Sequence, residues 1–294
     1  MGFRGRNNCL FYYGPIHTMG DKNEVQTAIA ITKGFDIIVV GVHTGGDLLL
    51  LNKIMEASKQ MNANQQWYGY TTLGSVGSGV AAASADQWMT DSPPSSGLLD
   101  GIFVDEFGHD FASGTRDQQN AIVDYCHNTL NDGSTTGLPV FVNAWIPTDV
   151  FGQPPSNVNN APASVGSGTQ FLDIILVESF LLQVSDASGE PARGDWTRDR
   201  GRIEYYIDQR DNESKNIQVC AMIGAGVGTG IGEVSAIDET IYKDALKYLE
   251  DIAANYICVN HGDLGATSHS FFIQHVQDIF PLPIPSGSFG LSKH

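Results

Sequence analysis

The sequence is poor in basic residues and lacks segments typical of membrane or nucleic-acid-binding proteins. Its 294 residues include 16 Lys and Arg against 33 Asp and Glu, which gives a formal net charge of −17. A field of that sign repels phosphate backbones and anionic lipid surfaces, so we expect no nucleic acid partner. The longest apolar runs, such as Phe35–Val42, are strand-length and fall short of the ~18 residues of a membrane span. We therefore expect no membrane insertion.

Signatures of export, disulfides and metal sites are also missing. No apolar run follows Met1 to form a secretory signal peptide, so we expect synthesis in the cytoplasm. The cysteines Cys9, Cys126, Cys220 and Cys258 show neither a CxxC nor a His-flanked spacing, and a large domain needs no disulfide framework. The sequence predicts buried thiols that pack as small hydrophobic side chains, and it predicts no cofactor.

Small and neutral polar residues take the place of charge. Charged residues make up 17% of the chain, below the ~25% of an average domain. Gly, Ser, Thr and Asn fill the difference, a surface common on proteins that act outside cells. The chain is 41% hydrophobic and 10% aromatic, which excludes a disordered protein. Its length suits either one large barrel or two ordinary domains.

Eight short apolar runs, rich in β-branched and aromatic residues, recur along the chain. Their first residues are 27 to 43 positions apart, and the mean of about 35 is the length of one strand-loop-helix-loop unit. The runs are apolar throughout rather than alternating, as expected for parallel strands covered on both faces. The predicted strands are Cys9–Tyr13, Asp36–Val40, Trp67–Thr72, Gly101–Asp105, Val140–Ala144, Ile174–Glu178, Ile217–Met222 and Tyr256–Asn260.

Eight such units predict an α/β fold, a single (β/α)8 TIM barrel with extended βα loops. A doubly wound sheet is the alternative, although it more often has five to seven strands and a Gly-rich first turn. The barrel is expected over residues 1–280, with a long loop at Gln153–Gly168 and an extended Pro-rich tail over residues 281–294. The segments predicted as helices are Asp21–Lys33, Leu48–Asn62, Arg116–Leu130 and Ile237–Ala254.

Polar and aromatic residues follow the predicted strands, at the end of a barrel where active sites form. Carboxylates end two of them: Asp105 and Glu106 end the fourth strand, and Glu178 ends the sixth. Two facing carboxylates can cleave a glycosidic bond, and aromatic, Asn and His side chains can stack on and hydrogen-bond a sugar. The candidate substrate-binding residues are Tyr12, His17, His43, Tyr70, His109, Asn143, Trp145, Phe180, Asn260 and His261.

The fourth and sixth strands are close enough for their carboxylates to act together. Strands two apart in a barrel wall are roughly 9–10 Å apart at the backbone, and side chains that lean inward shorten that distance. Adjacent residues of a strand point to opposite sides, so the sequence leaves open whether Asp105 or Glu106 faces the barrel axis. A purely structural role is the other interpretation, in which one of them caps the next helix or pairs with Arg116.

Three segments and one asparagine together resemble a known family. They are Gly69–Thr72, Asp100–Glu106, Asn143 and Asp173–Glu178. They resemble the spherulin-4-like glycoside hydrolases and the related endo-α-1,4-polygalactosaminidase barrels, which have a GY-containing third strand, a GIFFDE-type fourth strand, an Asn on the fifth and a Glu ending the sixth. The resemblance implies an endo-acting hydrolase of α-1,4-linked galactosamine or N-acetylgalactosamine polymers. It also implies that Asp105 and Glu178 form the catalytic pair, with Glu106 orienting or tuning it.

Some features depart from the resemblance or allow other interpretations. Trp145 stands two residues after Asn143, where the family usually has an Asn-Pro-Gly-like turn. The Gly-rich segment Gly224–Gly232 matches neither a dinucleotide nor a Walker spacing, so a loop that lets backbone approach a sugar is preferred to a phosphate site. The strand-end histidines could hold a metal together with Asp105 and Asp263, but they form no HxH or HxxxH pair, and no metal is expected.

The place of action leads to a second hypothesis. A polysaccharide hydrolase meets its polymer outside the cell, and release by lysis would take it there without a signal peptide. We therefore consider a phage virion protein, in a tail or capsid decoration, that degrades or grips a host exopolysaccharide. The tail over residues 281–294 would contact other virion subunits or a second copy of the chain. The functional alternative is a non-catalytic glycan-binding or structural protein built on a hydrolase barrel.

Overall fold

A computed structural model of the chain describes residues 7–12, 25–41, 48–151, 158, 173–180, 184–185, 191–192, 196–213, 215–225 and 239–261. The strands in these ranges are β1 (Asn7–Tyr12), β2 (Ile37–Val40), β3 (Gln66–Thr72), β4 (Gly101–Asp105), β5 (Val140–Asn143), β6 (Asp173–Phe180), β7 (Val184–Ser185), β8 (Pro191–Ala192), β9 (Ile217–Ala225) and β10 (Tyr256–His261). The α-helices are α1 (Val25–Thr32), α2 (Leu48–Met61), α3 (Ser78–Asp91), α4 (Arg116–Asp124), α5 (Thr148–Phe151), α6 (Trp196–Asp211) and α7 (Glu239–Asp251).

Eight of the strands close into a barrel in which every neighbouring pair is parallel. Its order is β1-β10-β9-β6-β5-β4-β3-β2, and β1 pairs with both β2 and β10. The short strands β7 and β8 form a separate antiparallel pair. Closure confirms the predicted (β/α)8 barrel and excludes the doubly wound sheet, since an open sheet would leave two edges unpaired. The predicted tail lies outside the described residues.

Side chains alternate between the barrel interior and the layer under the helices. The interior holds Phe11, Phe103 and Phe141, whose ring centroids lie 5.2 to 5.6 Å apart in edge-to-face contacts. Such pairs are favoured by the opposite charges of ring face and ring edge. The other parity of each strand, such as Ile102 and Val104 on β4, packs against the helices. The side chains two positions after Phe103 and Phe141, those of Asp105 and Asn143, are therefore expected to point into the interior as well.

Three cysteines lie together in the barrel interior. Cys9 on β1 is the direct register partner of Cys258 on β10, and Cys220 lies on the adjoining β9. Burial raises the pKa of Cys9 well above its usual value, and the neighbouring thiols raise it further. All four cysteines, including Cys126 in the outer layer, are free and buried. Thiols held in their neutral form act here as small apolar side chains.

A repeated hydrogen bond fastens the strands at the end of the barrel where they begin. At or just before every second barrel strand, a carboxylate or amide oxygen accepts the backbone N–H of the strand preceding it in the chain. The four pairs are Asp36 with Asn8 (2.9 Å), Asp100 with Trp67 (2.7 Å), Asp173 with Val140 (3.0 Å) and Asn255 with Val219 (2.9 Å). The strand ends that carry no functional side chain are thereby fixed in register.

The helices differ more from prediction than the strands. The predicted helices over α1, α2, α4 and α7 are present within a few residues, and α4 continues as a π-helical turn over Tyr125–Thr129. Helices α3, α5 and α6 and the β7–β8 pair were not predicted. In the described part of the chain, no helix combines the length and apolar character needed to cross a bilayer.

Candidate active site

Asp105, Asn143 and Glu178 meet at the carboxyl ends of three consecutive barrel strands. Nδ2 of Asn143 donates to Oδ1 of Asp105 and to Oε2 of Glu178, at 2.9 Å in each case. The two carboxylate oxygens can therefore be no farther apart than twice 2.9 Å. Because the two N–H bonds of an amide diverge by about 120°, two linear hydrogen bonds of this length would place these oxygens about 5 Å apart. The strand-end carboxylates come together as the sequence predicted.

Asp105 is held by three donors. Besides the Asn143 amide, the Tyr70 hydroxyl donates to Oδ2 at 3.0 Å and the backbone N–H of Glu106 donates to Oδ1 at 2.9 Å. Burial raises the pKa of Asp105 above its usual value, while these three hydrogen bonds oppose the rise. The ring of Tyr70 lies 5.7 Å from that of Phe103, so the aromatic interior forms the floor beneath the carboxylate. This environment favours an oriented carboxylate with little water around it.

Among the described residues, Glu178 has fewer donors than Asp105, and it has a negative neighbour. Burial raises the pKa of Glu178; the Asn143 hydrogen bond opposes this, the charge of Asp105 raises the pKa further, and Arg202 lowers it. The guanidinium of Arg202 donates to the backbone carbonyl of Glu178 at 2.8 Å. Of the two acids, Asp105 receives more hydrogen bonds to its ionised form. Glu178 is therefore the better candidate to keep a proton when one is shared by the pair.

Glu106 points away from this pair. Its Oε2 accepts the Thr72 hydroxyl at 2.8 Å and the backbone N–H of Ser75 at 2.9 Å, and its φ angle of 51° turns the backbone at the end of β4. Asp105, two positions after the inward-facing Phe103, is consequently the residue whose side chain points into the barrel. The question left open by the sequence is settled in favour of Asp105 facing the barrel interior.

The structure does not support the purely structural interpretation, in which Asp105 or Glu106 caps the next helix or pairs with Arg116. Its guanidinium donates to the carbonyls of Asp149 and Val150, at 2.6 Å each, and so serves the short helix α5. The residue that caps α4 is Thr115, whose hydroxyl accepts the N–H of Gln118. Neither Asp105 nor Glu106 is committed to capping that helix.

Trp145 lies at the rim and connects to Glu178 through an arginine that the sequence did not single out. The indole is 39% exposed, and the guanidinium carbons of Arg202 and Arg198 lie 4.1 and 5.2 Å from its ring centroid. Arg202, at 6% exposure, thus contacts Trp145 on one side and the Glu178 backbone on the other. No signal in the sequence marks Arg202, because it lies on α6, 24 positions after Glu178.

Two predicted substrate-binding residues lie elsewhere. Tyr12 is only 1% exposed and belongs to the layer between strands and helices. Side chains alternate along β1, and that of Phe11, next to Tyr12, points into the barrel interior. The prediction that Tyr12 binds substrate at the barrel mouth is therefore wrong for this conformation. His109 lies on the loop after β4, where its backbone N–H donates to Asp149 at 2.8 Å, and it lines a cleft of about 570 Å³ together with Asp110 and Phe111.

The remaining candidates fall partly or wholly outside the described residues. His17 and His43 lie outside them, as does the Gly-rich segment beyond Ala225. Phe180, Asn260 and His261 are placed as backbone in β6 and β10, where Asn260 pairs with Gly224, but their side chains are not described. Among the side chains that are described, no three His, Cys, Asp or Glu residues form a group that could hold a metal ion.

Solved structures with a similar fold include several glycoside hydrolases. One is α-L-fucosidase isoenzyme 2 from Paenibacillus thiaminolyticus, with a TM-score of 0.55 and 11% identity over 94% of this chain and 49% of that enzyme. A GH99 endo-α-mannosidase from Bacteroides thetaiotaomicron has a TM-score of 0.54 and 8% identity over 90% and 85% of the two chains. A putative α-L-fucosidase from Bacteroides thetaiotaomicron VPI-5482 has a TM-score of 0.54 and 7% identity over 96% of each.

At these identities the likeness establishes the fold. The chain spans about half the length of the Paenibacillus enzyme. No protein-family model matches the sequence, and no curated protein sequence matches it. The chain is a single (β/α)8 barrel of the kind on which these glycoside hydrolases are built.

Proposed function

We propose that this protein is a glycoside hydrolase that works by a retaining two-carboxylate mechanism. The observation that carries the proposal is the Asn143 amide, whose nitrogen binds one oxygen of Asp105 and one of Glu178 at 2.9 Å each and so holds the two oxygens within twice that distance. Retaining glycosidases place their two carboxyl groups ~5–5.5 Å apart, whereas inverting ones need ~6.5–9.5 Å to admit a water molecule. The spacing here leaves room for direct attack on the anomeric carbon.

In the first step Glu178 is the acid and Asp105 the nucleophile. Glu178 gives its proton to the glycosidic oxygen as the bond from that oxygen to the anomeric carbon breaks, and a carboxylate oxygen of Asp105 bonds to the same carbon. In the second step Glu178, now ionised, takes a proton from water while the water oxygen attacks the anomeric carbon and Asp105 leaves. The donors that the described residues offer, three to Asp105 and one to Glu178, support this division of roles.

The sugar is proposed from the resemblance and from charge. The fucosidase and mannosidase neighbours are named for different sugars, so their shared fold does not select one. The segments that resemble spherulin-4-like hydrolases favour an α-1,4-linked aminogalactose polymer. A net charge of −17 is compatible with a neutral or cationic glycan, such as a partly deacetylated galactosaminan, and opposes a polyanion.

The direct test is release of reducing ends from galactosamine-containing exopolysaccharide by wild-type protein. We expect activity that is lost in Asp105→Asn and in Glu178→Gln and retained in Glu56→Gln, which alters an exposed carboxylate on α2. Proton NMR of the first product should show the anomeric configuration of the substrate. Binding without release across a panel of such polymers would overturn the hydrolase proposal in favour of the glycan-binding alternative.

We also propose, as a separate matter, that the barrel reaches its polymer on a phage particle. The proposal draws support from the neutral polar composition and the Pro-rich segment over residues 281–294. Mass spectrometry of purified particles tests it. Absence of the chain from particles, together with a gene that lies outside any phage cluster, would remove the idea.

A further inference from the structure

We propose that Glu106 is a positioning residue for Asp105: its carboxylate fastens the end of β4 to the loop after β3 and thereby aims its own backbone N–H at Asp105. The catalytic part of this inference rests on the proposed hydrolase activity. The geometric part stands on contacts around Glu106 alone. In this role Glu106 neither donates a proton to substrate nor attacks it.

The backbone of Glu106 adopts a conformation that is costly for a residue with a side chain. Its φ angle is 51°, and among the described residues Ala253 is the other non-glycine residue with positive φ. A side chain in this left-handed region is disfavoured and persists where surrounding contacts hold it. At this turn the Glu106 N–H donates to Oδ1 of Asp105 at 2.9 Å. The strained residue thus supplies one of the three donors on the proposed nucleophile.

The side chain of Glu106 provides the contacts that hold this turn. One oxygen, Oε2, accepts both the Thr72 hydroxyl at 2.8 Å and the Ser75 backbone N–H at 2.9 Å. Thr72 is the direct register partner of Asp105 across the β3–β4 pair, and the Asp105 carbonyl accepts the Leu73 N–H at 3.0 Å. Glu106 and the Asp105 backbone therefore bind the same short stretch of the neighbouring strand end.

Packing leaves the Glu106 side chain little freedom. A Cβ atom at Gly74 would come within 3 Å of Cβ of Glu106 and would also collide with Phe111. Glycine at position 74 is what allows the loop after β3 to close over the Glu106 stem. The side chain is enclosed by the loops after β3 and β4, away from the gap between Asp105 and Glu178. This placement fits a positioning role and not a role in proton transfer.

Three substitutions at position 106 separate the possible roles. Glu106→Gln keeps an oxygen that can accept from Thr72 and Ser75, so it should retain most of the wild-type kcat. Glu106→Ala loses both contacts and keeps the backbone cost, so kcat should fall about 10- to 100-fold with little change in KM. Glu106→Gly also loses the contacts but adopts positive φ easily, so its activity should lie between the other two.

The pH profile gives a readout that a merely structural role would not move. When the Glu106 N–H no longer reaches Asp105, the ionised carboxylate loses a donor and its pKa rises. Both variants also remove the Glu106 charge, which itself raises the pKa of Asp105, so the acidic limb of kcat/KM should lie at higher pH in Glu106→Ala than in Glu106→Gln. The same difference between the two variants should appear in a 13C NMR titration of the Asp105 carboxyl, which needs no substrate and remains informative if the hydrolase proposal fails.

Thr72 offers a milder version of the same test if Glu106→Ala does not fold. Thr72→Val removes the hydroxyl that donates to Glu106, and Thr72→Ser keeps it. The valine variant should shift the Asp105 titration upward and the serine variant should not. The proposal is overturned if Glu106→Gln is as inactive as Glu106→Ala, since the charge itself would then be required. An Asp105 titration that is the same in Glu106→Ala as in Glu106→Gln, and unchanged in Thr72→Val, would overturn it equally.

Discussion

Asn143 reaches Glu178 with the same amide nitrogen that it offers to Asp105, at 2.9 Å in both directions. The reverse orientation of this amide would turn its oxygen toward two carboxylates and is excluded by charge repulsion. Asn143 is 7% exposed, so its hydrogen bonds are made in an environment with little competing water. A single side chain on β5 thus bridges the pair and lowers the pKa of both carboxyl groups against the effect of burial.

Substitution of Asn143 by Ala should damage the proposed activity through both carboxylates. Each loses a donor to its ionised form, so the pKa of Asp105 and that of Glu178 both rise. We expect kcat/KM to fall about 100-fold or more, with the pH optimum moved upward. The measurement is a pH series of initial rates. Asn128→Ala, which removes an exposed amide bonded to Asp124, is the matched control and should change neither quantity.

The roles of the two acids can be distinguished by chemical rescue. With an aryl glycoside whose leaving group needs no protonation, Glu178→Ala should still form the covalent intermediate but should resolve it slowly. Added azide then replaces water without needing a base, so we expect azide to raise kcat and to yield a glycosyl azide that keeps the substrate's configuration. The assignment would be reversed if azide instead gave the inverted glycosyl azide with Glu178→Ala and the retained one with Asp105→Ala.

Burial of Glu178 also predicts how stability depends on pH. Because its pKa is raised in the folded chain, the folded protein binds this proton more tightly than the unfolded protein does. The resulting stabilisation is complete below the unfolded pKa of about 4.3 and is lost as pH rises through the folded value. Glu178→Gln should therefore melt at a higher temperature than wild type at pH 7, and the difference should shrink toward pH 4.

Thermal melting followed by circular dichroism across that pH range provides the measurement. The exposed Glu56→Gln variant is the control and should follow the wild-type curve at each pH. A melting temperature of Glu178→Gln equal to or below that of wild type at pH 7 would show that Glu178 carries no burial cost in the folded protein.

The regular spacing of short apolar runs made most of the fold predictable from the sequence. Gly101–Asp105 was predicted with the bounds that the structure has, because its apolar run is short and ends at charged residues. Helix α3 escaped prediction since its buried residues include Ala81 and Ala85, which give a weak apolar stripe. The aspartates that precede alternate strands, such as Asp36 and Asp100, were visible in the sequence, but their hydrogen bonds to the preceding strand depend on barrel register.

The site was predicted where strand ends determine it and was missed where loops do. Asp105 and Glu178 follow from their positions at the ends of two strands of the same barrel. Tyr12 was assigned by residue type alone, without considering that side chains alternate along β1 and that Phe11 is the one that points into the barrel. The left-handed turn at Glu106 depends on contacts with the loop after β3, and no local pattern encodes it. Arg202 reaches Glu178 only through tertiary packing of α6.

Asp173 offers a prediction about stability that is separate from the proposed chemistry. It is fully buried at the start of β6, where Oδ1 accepts the Val140 N–H and lies 3.0 Å from Nε2 of His127. Asp173→Ala leaves buried polar groups unsatisfied and should lower the free energy of unfolding by about 2–4 kcal/mol, measured by urea denaturation. Asp173→Asn keeps an acceptor and should cost less.

Activity should respond differently from stability at this position. Asp173 and Glu178 stand at opposite ends of β6, five residues or roughly 16 Å apart along the strand. Under conditions where Asp173→Ala remains folded, its kcat/KM should therefore stay within about twofold of wild type, since sites this far apart usually couple weakly. A large loss of activity in the folded variant would mean that the base of the barrel transmits strain to the carboxylate pair. The hydrogen bonds at the strand starts would then not be separate from the catalytic end of the barrel.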